Sequence, residues 1–191
     1  KSRTEMGTEL AEWTRKASQC DFLQHGVSLT TAQARRESEL EILLQSMLLT
    51  DAKDSDYDYK AISMREVMKY CKDIRGNYAE NQREQIMSTL DYLSEAFVEK
   101  HKFLKKSNVP MVFIMGNLAM QKDIKPSDFK TFIDSFAGSE CLEYEVNTGS
   151  GNIKRIKTEG RLMAMFKCLK DYFKLPDEEG FTPIGSNKDA A

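Results

Sequence analysis

Apolar side chains recur at helical spacing along most of this 191-residue chain, and no segment alternates for long between apolar and polar residues. Six or seven segments share this periodicity, which is typical of helices that bury one face. The longest pattern keeps one face apolar for roughly five turns, and its members are Ile86, Leu90, Leu93, Phe97, His101 and Leu104. We therefore predict an all-α fold, a multi-helix bundle of about six to seven helices.

Local signals mark the predicted ends of several helices. Thr30 with Gln33, and Ser63 with Glu66, have the spacing of a capping box. The first pair opens a predicted helix that continues through Leu48. The first helical segment runs from about residue 4 to residue 23, and the long helix is predicted to end before a proline at position 110, because the residue preceding a proline disfavours helix.

Two segments are ambiguous in the sequence. The run Met111–Met120 is apolar all round, so it is either a buried helix or a short central strand, and periodicity does not separate the two. Tyr144 and Val146 are candidates to begin a short strand, so we allow for one short β-hairpin near residues 142–154. Neither alternative changes the predicted fold class.

The chain is predicted to form a single helical domain over residues 1–175. A flexible tail follows over residues 176–191, where few side chains are available for burial. Because the sequence starts on Lys1 rather than on an initiator methionine, we expect it to be a fragment of a longer protein.

Charge and composition narrow the classes of function. A formal net charge of −2 provides no global field to attract nucleic acid or a membrane, so binding of that kind requires a local patch. No apolar run approaches the roughly 18 to 20 residues that cross a bilayer. The four cysteines show no CxxC spacing, which favours reduced thiols over a disulfide framework or a zinc site. We expect a cytoplasmic protein with no membrane partner.

No combination of residues indicates a catalytic or metal site. His25 and His101 lack a second ligand or base at a diagnostic spacing. The acidic stretch at residues 54–58 lacks the glycine and the final carboxylate of a calcium loop, and the glycine-rich stretch at 148–155 departs from the phosphate-loop pattern. We therefore assign no catalytic residue, metal or cofactor. Whether the parent protein is an enzyme stays open, since any activity is expected in a missing N-terminal part.

Basic side chains cluster in two places, around the start of the last predicted helix and at the end of the long one. If these helices lie side by side, they form a positive surface suited to phosphate backbones, without sequence readout. The alternative is an ordinary solvated surface. The predicted nucleic-acid contacts are Lys154, Arg155, Lys157, Arg161, Lys102, Lys105 and Lys106.

Three short stretches resemble one bacterial protein family. They are Gly7–Trp13 (GTELAEW), Thr30–Arg36 (TTAQARR) and Asn108–Pro110 (NVP). Together they are similar to the helical C-terminal part of the ParB-like restriction and defence proteins, the group that contains the GmrS-type subunit. The resemblance implies that nucleotide hydrolysis or nuclease action belongs to other parts of such proteins, because neither an Asp-Gly-Gln-Gln-Arg motif nor a histidine–asparagine–histidine motif is present here.

Two hypotheses of function follow. The first is a non-catalytic helical domain of a bacterial or phage DNA-associated protein of the restriction or defence class, which contributes protein–protein and DNA-backbone contacts. The second is a helical interaction or oligomerisation module with no nucleic-acid role, whose ten methionines and ten phenylalanines include an exposed apolar patch. The expected partners are DNA, a second copy of the chain or the rest of the parent protein.

Overall fold

Helices make up the regular secondary structure of the computed structural model, which describes residues 5–34 and 36–176. In those ranges the only β-type pairing is a single bridge between Ala61 and Lys154. The elements in chain order are α1 (Thr8–Ala17), a π-helix (Phe22–Gly26), α2 (Thr31–Ala34), α3 (Ser38–Asp54), α4 (Met64–Asp73), α5 (Glu80–Ala96), α6 (Val109–Gln121), α7 (Pro126–Gly138), α8 (Leu142–Glu145) and α9 (Arg155–Phe173).

The prediction of an all-α fold is confirmed. The described ranges hold ten helices, a few more than expected. The excess comes from the π-helix, α2 and α8, which have only four or five residues each and are too short to show a periodic pattern. No described helix is long and apolar enough to pass through a membrane.

Helix α6 lies at the centre of the fold, packed against α3, α5 and α9. All residues from Val109 to Ala119 are buried. This arrangement explains why residues 111–120 are apolar on every side, since neighbouring helices cover the whole circumference. Pro110 lies in the first turn, where its missing N–H removes no helical hydrogen bond. The ambiguous run is therefore a buried helix.

The predicted long helix ends at Ala96, about three turns before the expected stop. Phe97 leaves the helical region, and the backbone that follows pairs with the end of the π-helix and the residues after it. His101 N–H donates to the carbonyl oxygen of Gly26 at 3.0 Å, and Ser28 N–H donates to that of Leu104 at 2.9 Å. The apolar spacing thus continues past the helix, and the lysines at 100–106 lie in a loop.

Other predicted boundaries also need correction. The capping box of Thr30 and Gln33 forms, with bonds of 2.9 and 3.3 Å, but it opens only α2. Glu37 then takes a left-handed conformation, which separates α2 from α3. The first helix ends at Ala17 rather than near residue 23. The suggested β-hairpin is wrong, because residues 142–145 form α8 and a turn follows. The predicted tail lies outside the described residues except for Pro176.

Candidate anion-binding cleft

Arg161 is the most unusual of the seven predicted contact residues, because only 1% of its surface is exposed. Arg161 lies on α9. Its Nη1 donates to the carbonyl oxygen of Ser107 at 2.6 Å, and its Nη2 donates to that of Asn152 at 2.8 Å. Its Nε has no hydrogen-bond partner, and no described carboxylate pairs with the guanidinium. Burial lowers the pKa of Arg161, and the nearby hydroxyls of Tyr144 and Tyr59 oppose that effect only in part. Arg161 is therefore a buried cation without an acidic partner.

A cleft of about 450 Å³ borders Arg161. Its walls come from the loop before α6, the turn before α9, the segment before α4, and the first turns of α2 and α3. The residues that line it are Gln33, Glu41, Gln45, Ile62, Lys105, Lys106, Ser107, Asn152, Ile153 and Arg161. Six stretches of the chain, most of them distant in sequence, therefore build one concave surface.

The cleft carries an excess of positive charge. Lys106 Nζ lies 2.6 Å from Glu41 Oε2 and is compensated by it. Lys105 is exposed, and no described acidic side chain pairs with it. With Arg161, three cations face a single carboxylate in the lining. An anion that entered the cleft would meet two charges that no described side chain neutralises.

The glycine-rich turn before α9 shapes one wall of the cleft. Gly149 and Gly151 have φ angles of 79° and 73°, which glycine adopts without strain. The turn directs carbonyl oxygens towards cations: Arg161 binds that of Asn152, and Lys157 Nζ binds that of Ser150 at 3.1 Å. A phosphate loop presents backbone N–H groups instead. This turn therefore holds basic side chains in place, in keeping with the absence of a phosphate-loop motif.

Arg155 lies on the same helix in a compensated environment. Its guanidinium contacts Asp58 at 2.8 Å and Glu159 at 2.7 Å, and it stacks 5.3 Å from the centre of the Tyr59 ring. Burial lowers the pKa of Arg155, but the hydrogen bond and charge of Glu159 outweigh it, so the net shift is upward. Two carboxylates thus already neutralise this residue.

The seven predicted residues occupy separate positions. The structure brings Lys105, Lys106 and Arg161 together in the cleft. Lys154 is exposed and directly follows the cleft residue Ile153, whereas Lys102 is exposed in the loop before α6. Arg155, Lys157 and Lys102 do not line the cleft. Ser107 and Asn152 could not be predicted, because they bind Arg161 through backbone carbonyl oxygens, which every residue type has.

A second polar cluster, also unforeseen, lies inside the helix bundle. Asp51 on α3 is buried and accepts hydrogen bonds from Tyr70 Oη at 2.6 Å and from Gln82 Nε2 at 3.0 Å. Burial raises the pKa of Asp51, the two bonds lower it in part, and the charge of Asp54 adds to the rise. These two hydrogen bonds satisfy the carboxylate oxygens of Asp51 and connect α3 with α4 and α5.

The histidines and acidic loops offer no converging ligand set. His101 Nε2 lies 2.7 Å from Asp134, while the side chain of His25 is largely exposed. Asp58 in the acidic loop is engaged by Arg155. Over residues 5–34 and 36–176, no three histidine, cysteine, aspartate or glutamate side chains are placed to hold a metal ion together.

Comparison with known proteins yields no relative whose role bears on this chain. No protein-family model, curated protein or solved structure matches it.

Proposed function

We propose that this chain is a non-catalytic helical domain that contacts nucleic-acid phosphate at the Arg161 cleft. The observation that carries the proposal is the buried guanidinium without an acidic partner beside an open, positively charged cleft. An uncompensated buried charge is unfavourable, and an anion bound nearby would remove that penalty. Nε of Arg161 is the guanidinium nitrogen left without a partner, because Nη1 and Nη2 already donate to carbonyl oxygens.

Two exposed lysines extend this positive surface beyond the cleft. Lys105 lies on one wall, and Lys154 follows Ile153 on another. Such side chains suit a repeating backbone of phosphates and imply no reading of base sequence. The resemblance to ParB-like defence proteins supports the same class of partner and stays a prediction. We further propose a cytoplasmic location, since all four cysteines are unpaired and reducing compartments keep thiols free.

The test is binding of a fluorescently labelled DNA duplex of about 20 base pairs, measured by anisotropy between about 50 and 300 mM NaCl. Wild-type protein is expected to bind with an affinity that falls steeply as salt rises. Lys105→Glu and Lys154→Glu should each weaken binding roughly 3- to 10-fold and reduce the salt slope by about one.

Lys125→Glu is the matched control for this experiment. Lys125 is exposed, precedes α7 and does not line the cleft, so the same charge change should alter affinity less than about twofold. Absence of binding at the lowest salt would refute the proposal. Equal weakening by all three variants would show that net charge, rather than this surface, attracts DNA.

A second candidate function is self-association, favoured by an exposed apolar surface on α8 and α9. Leu142 and Val146 are 68% and 69% exposed, and Met163 is 39% exposed beside a shallow groove of about 590 Å³. The groove margin carries both signs of charge, with Lys167 and Glu143 3.0 Å apart. We propose that this apolar surface packs against the same surface of a second copy, as in a two-fold dimer.

Light scattering distinguishes the two candidate functions. If the apolar surface joins two copies, the mass should double at micromolar concentration, and Val146→Glu should return the protein to a monomer. A monomer at all concentrations would exclude self-association, while leaving the DNA experiment unaffected.

A further inference from the structure

Two cysteines that are distant in sequence meet at the junction of α8 and α9. Cys141 directly precedes α8, Cys168 lies on α9, and their Sγ atoms are 3.9 Å apart. Both are partly exposed, and all four cysteines of the chain are free thiols. By contrast, Cys71 is buried in α4. Only one cysteine pair therefore combines a short separation with access for a small reagent.

We propose that Cys141 and Cys168 form a reversible oxidation site, in which hydrogen peroxide converts the two thiols to a disulfide. One thiol loses its proton, and the thiolate attacks a peroxide oxygen and breaks the O–O bond; this gives a sulfenic acid and hydroxide, which takes up the released proton to form one water. The second thiol attacks the sulfenic sulfur; the S–S bond forms, the S–O bond breaks and a second water leaves. One peroxide thus accepts two electrons from two thiols.

The surroundings of Cys168 disfavour its thiolate. Burial raises the pKa of Cys168, and its hydrogen bond with Cys141 and the charges of Asp171 and Glu143 raise it further. Because the thiolate is the nucleophile, this rise in pKa slows the reaction of Cys168 with peroxide. The contact does not depend on which sulfur reacts first, because a sulfenic acid on either one meets the thiol of the other.

The two sulfurs need to move only a short distance to form the disulfide. A disulfide needs its sulfurs about 2.05 Å apart, so the two must approach by roughly 1.9 Å. Helix α8 is a single turn, which is the kind of element that shifts at low free-energy cost. Closing the loop between the two cysteines restricts the unfolded chain, so oxidation should raise the Tm by roughly 5 to 10 °C.

The experiment treats the full reduced chain with an equimolar amount of hydrogen peroxide. We expect loss of two of the four thiols, a mass decrease of about 2 Da and one cross-linked peptide joining residues 141 and 168. Dithiothreitol should restore both the thiols and the lower Tm. Cross-links to Cys20 or Cys71, disulfide-linked dimers, or four unreacted thiols would each overturn the proposal.

Serine variants test the pairing independently. Cys141→Ser and Cys168→Ser should each abolish the peroxide-induced rise in Tm, whereas the control Cys20→Ser should retain it. The peptide map of the wild-type protein decides the question even where a variant folds poorly. None of these results depends on whether the Arg161 cleft binds DNA.

Discussion

Arg161 and Ser107 are 54 residues apart in the chain, yet Nη1 of Arg161 donates a 2.6 Å hydrogen bond to the carbonyl oxygen of Ser107. Nη2 of the same guanidinium binds the carbonyl oxygen of Asn152 at 2.8 Å. One side chain therefore ties the loop before α6 and the turn before α9 to the interior of the bundle. The residue that gives the cleft its charge also holds two of its walls together.

Replacing Arg161 by leucine should destabilise the protein by about 2 to 4 kcal/mol. The substitution leaves two inward-facing carbonyl oxygens without donors, and each unsatisfied group costs about 1 to 3 kcal/mol. Urea unfolding followed by the fluorescence of Trp13, the only tryptophan, measures the change.

The control for Arg161 is Arg155→Gln on the same helix. Arg155 is partly exposed and its partner Asp58 largely so, and surface ion pairs contribute about 1 kcal/mol or less. If Arg161→Leu is no more destabilising than Arg155→Gln, then the two carbonyl bonds do not hold the cleft walls.

Inorganic phosphate should stabilise the wild-type protein more than chloride does at equal ionic strength. At a phosphate concentration ten times its Kd, linkage adds about 1.4 kcal/mol, which corresponds to a rise in Tm of roughly 3 to 6 °C. Thermal unfolding at pH 7 measures this rise, and Lys105→Glu should reduce it while Lys125→Glu should not. Equal Tm values in the two salts would contradict anion binding at the cleft.

Local signals in the sequence account for the fold class and for several helix ends. The Thr30–Gln33 capping box forms, and Pro126 begins α7. In contrast, the end of α5 at Ala96 depends on backbone bonds between residues 26–28 and 101–104, which no local pattern encodes. Phe97, His101 and Leu104 lie after the end of α5. Their spacing is nevertheless helical, because their side chains still face the interior or its margin.

The candidate site was predictable only in part for the same reason. The basic residues were visible in the sequence, but their burial and pairing were not. The surroundings of a lysine or an arginine depend on segments that are distant in sequence. Lys106 pairs with Glu41, and Arg161 donates to the carbonyl oxygen of Ser107. Likewise, Cys141 and Cys168 are 27 residues apart in the sequence, so their contact could not be predicted from it.

Gly116→Ala should destabilise the protein by about 1 to 3 kcal/mol. Gly116 lies in α6 where it meets α5, and a Cβ there would stand 2.7 Å from Leu93 Cδ2, so a buried side chain must move. Gly138→Ala is the matched control. Gly138 is exposed at the end of α7 with no atom within 4 Å of such a Cβ, and alanine should be neutral or stabilising by up to about 1 kcal/mol. Urea unfolding of both variants measures the difference, and equal stabilities would contradict the tight α5–α6 packing.

Asp51→Asn should change how stability depends on pH. Burial raises the pKa of Asp51 in the folded protein, so between the unfolded pKa of about 3.9 and the higher folded pKa the native state binds more protons than the unfolded state. This group therefore contributes a fall in stability as pH rises through that window. Asparagine does not titrate, and the variant should lose that fall. Urea unfolding at half-unit steps from pH 4 to pH 8 measures both profiles.

Asp51→Ala separates the charge of this side chain from its hydrogen bonds. Alanine removes the charge but leaves Tyr70 Oη and Gln82 Nε2 without their acceptor, so this variant should be about 2 to 3 kcal/mol less stable than Asp51→Asn at every pH, because neither replacement titrates. The exposed carboxylate Asp91, changed to asparagine, serves as the control and should leave the profile near that of the wild type. If Asp51→Asn and wild type show parallel profiles across the whole range, Asp51 does not titrate differently in the folded and unfolded states. Protonation of that carboxyl group would then not contribute to the packing of α3 against α4 and α5.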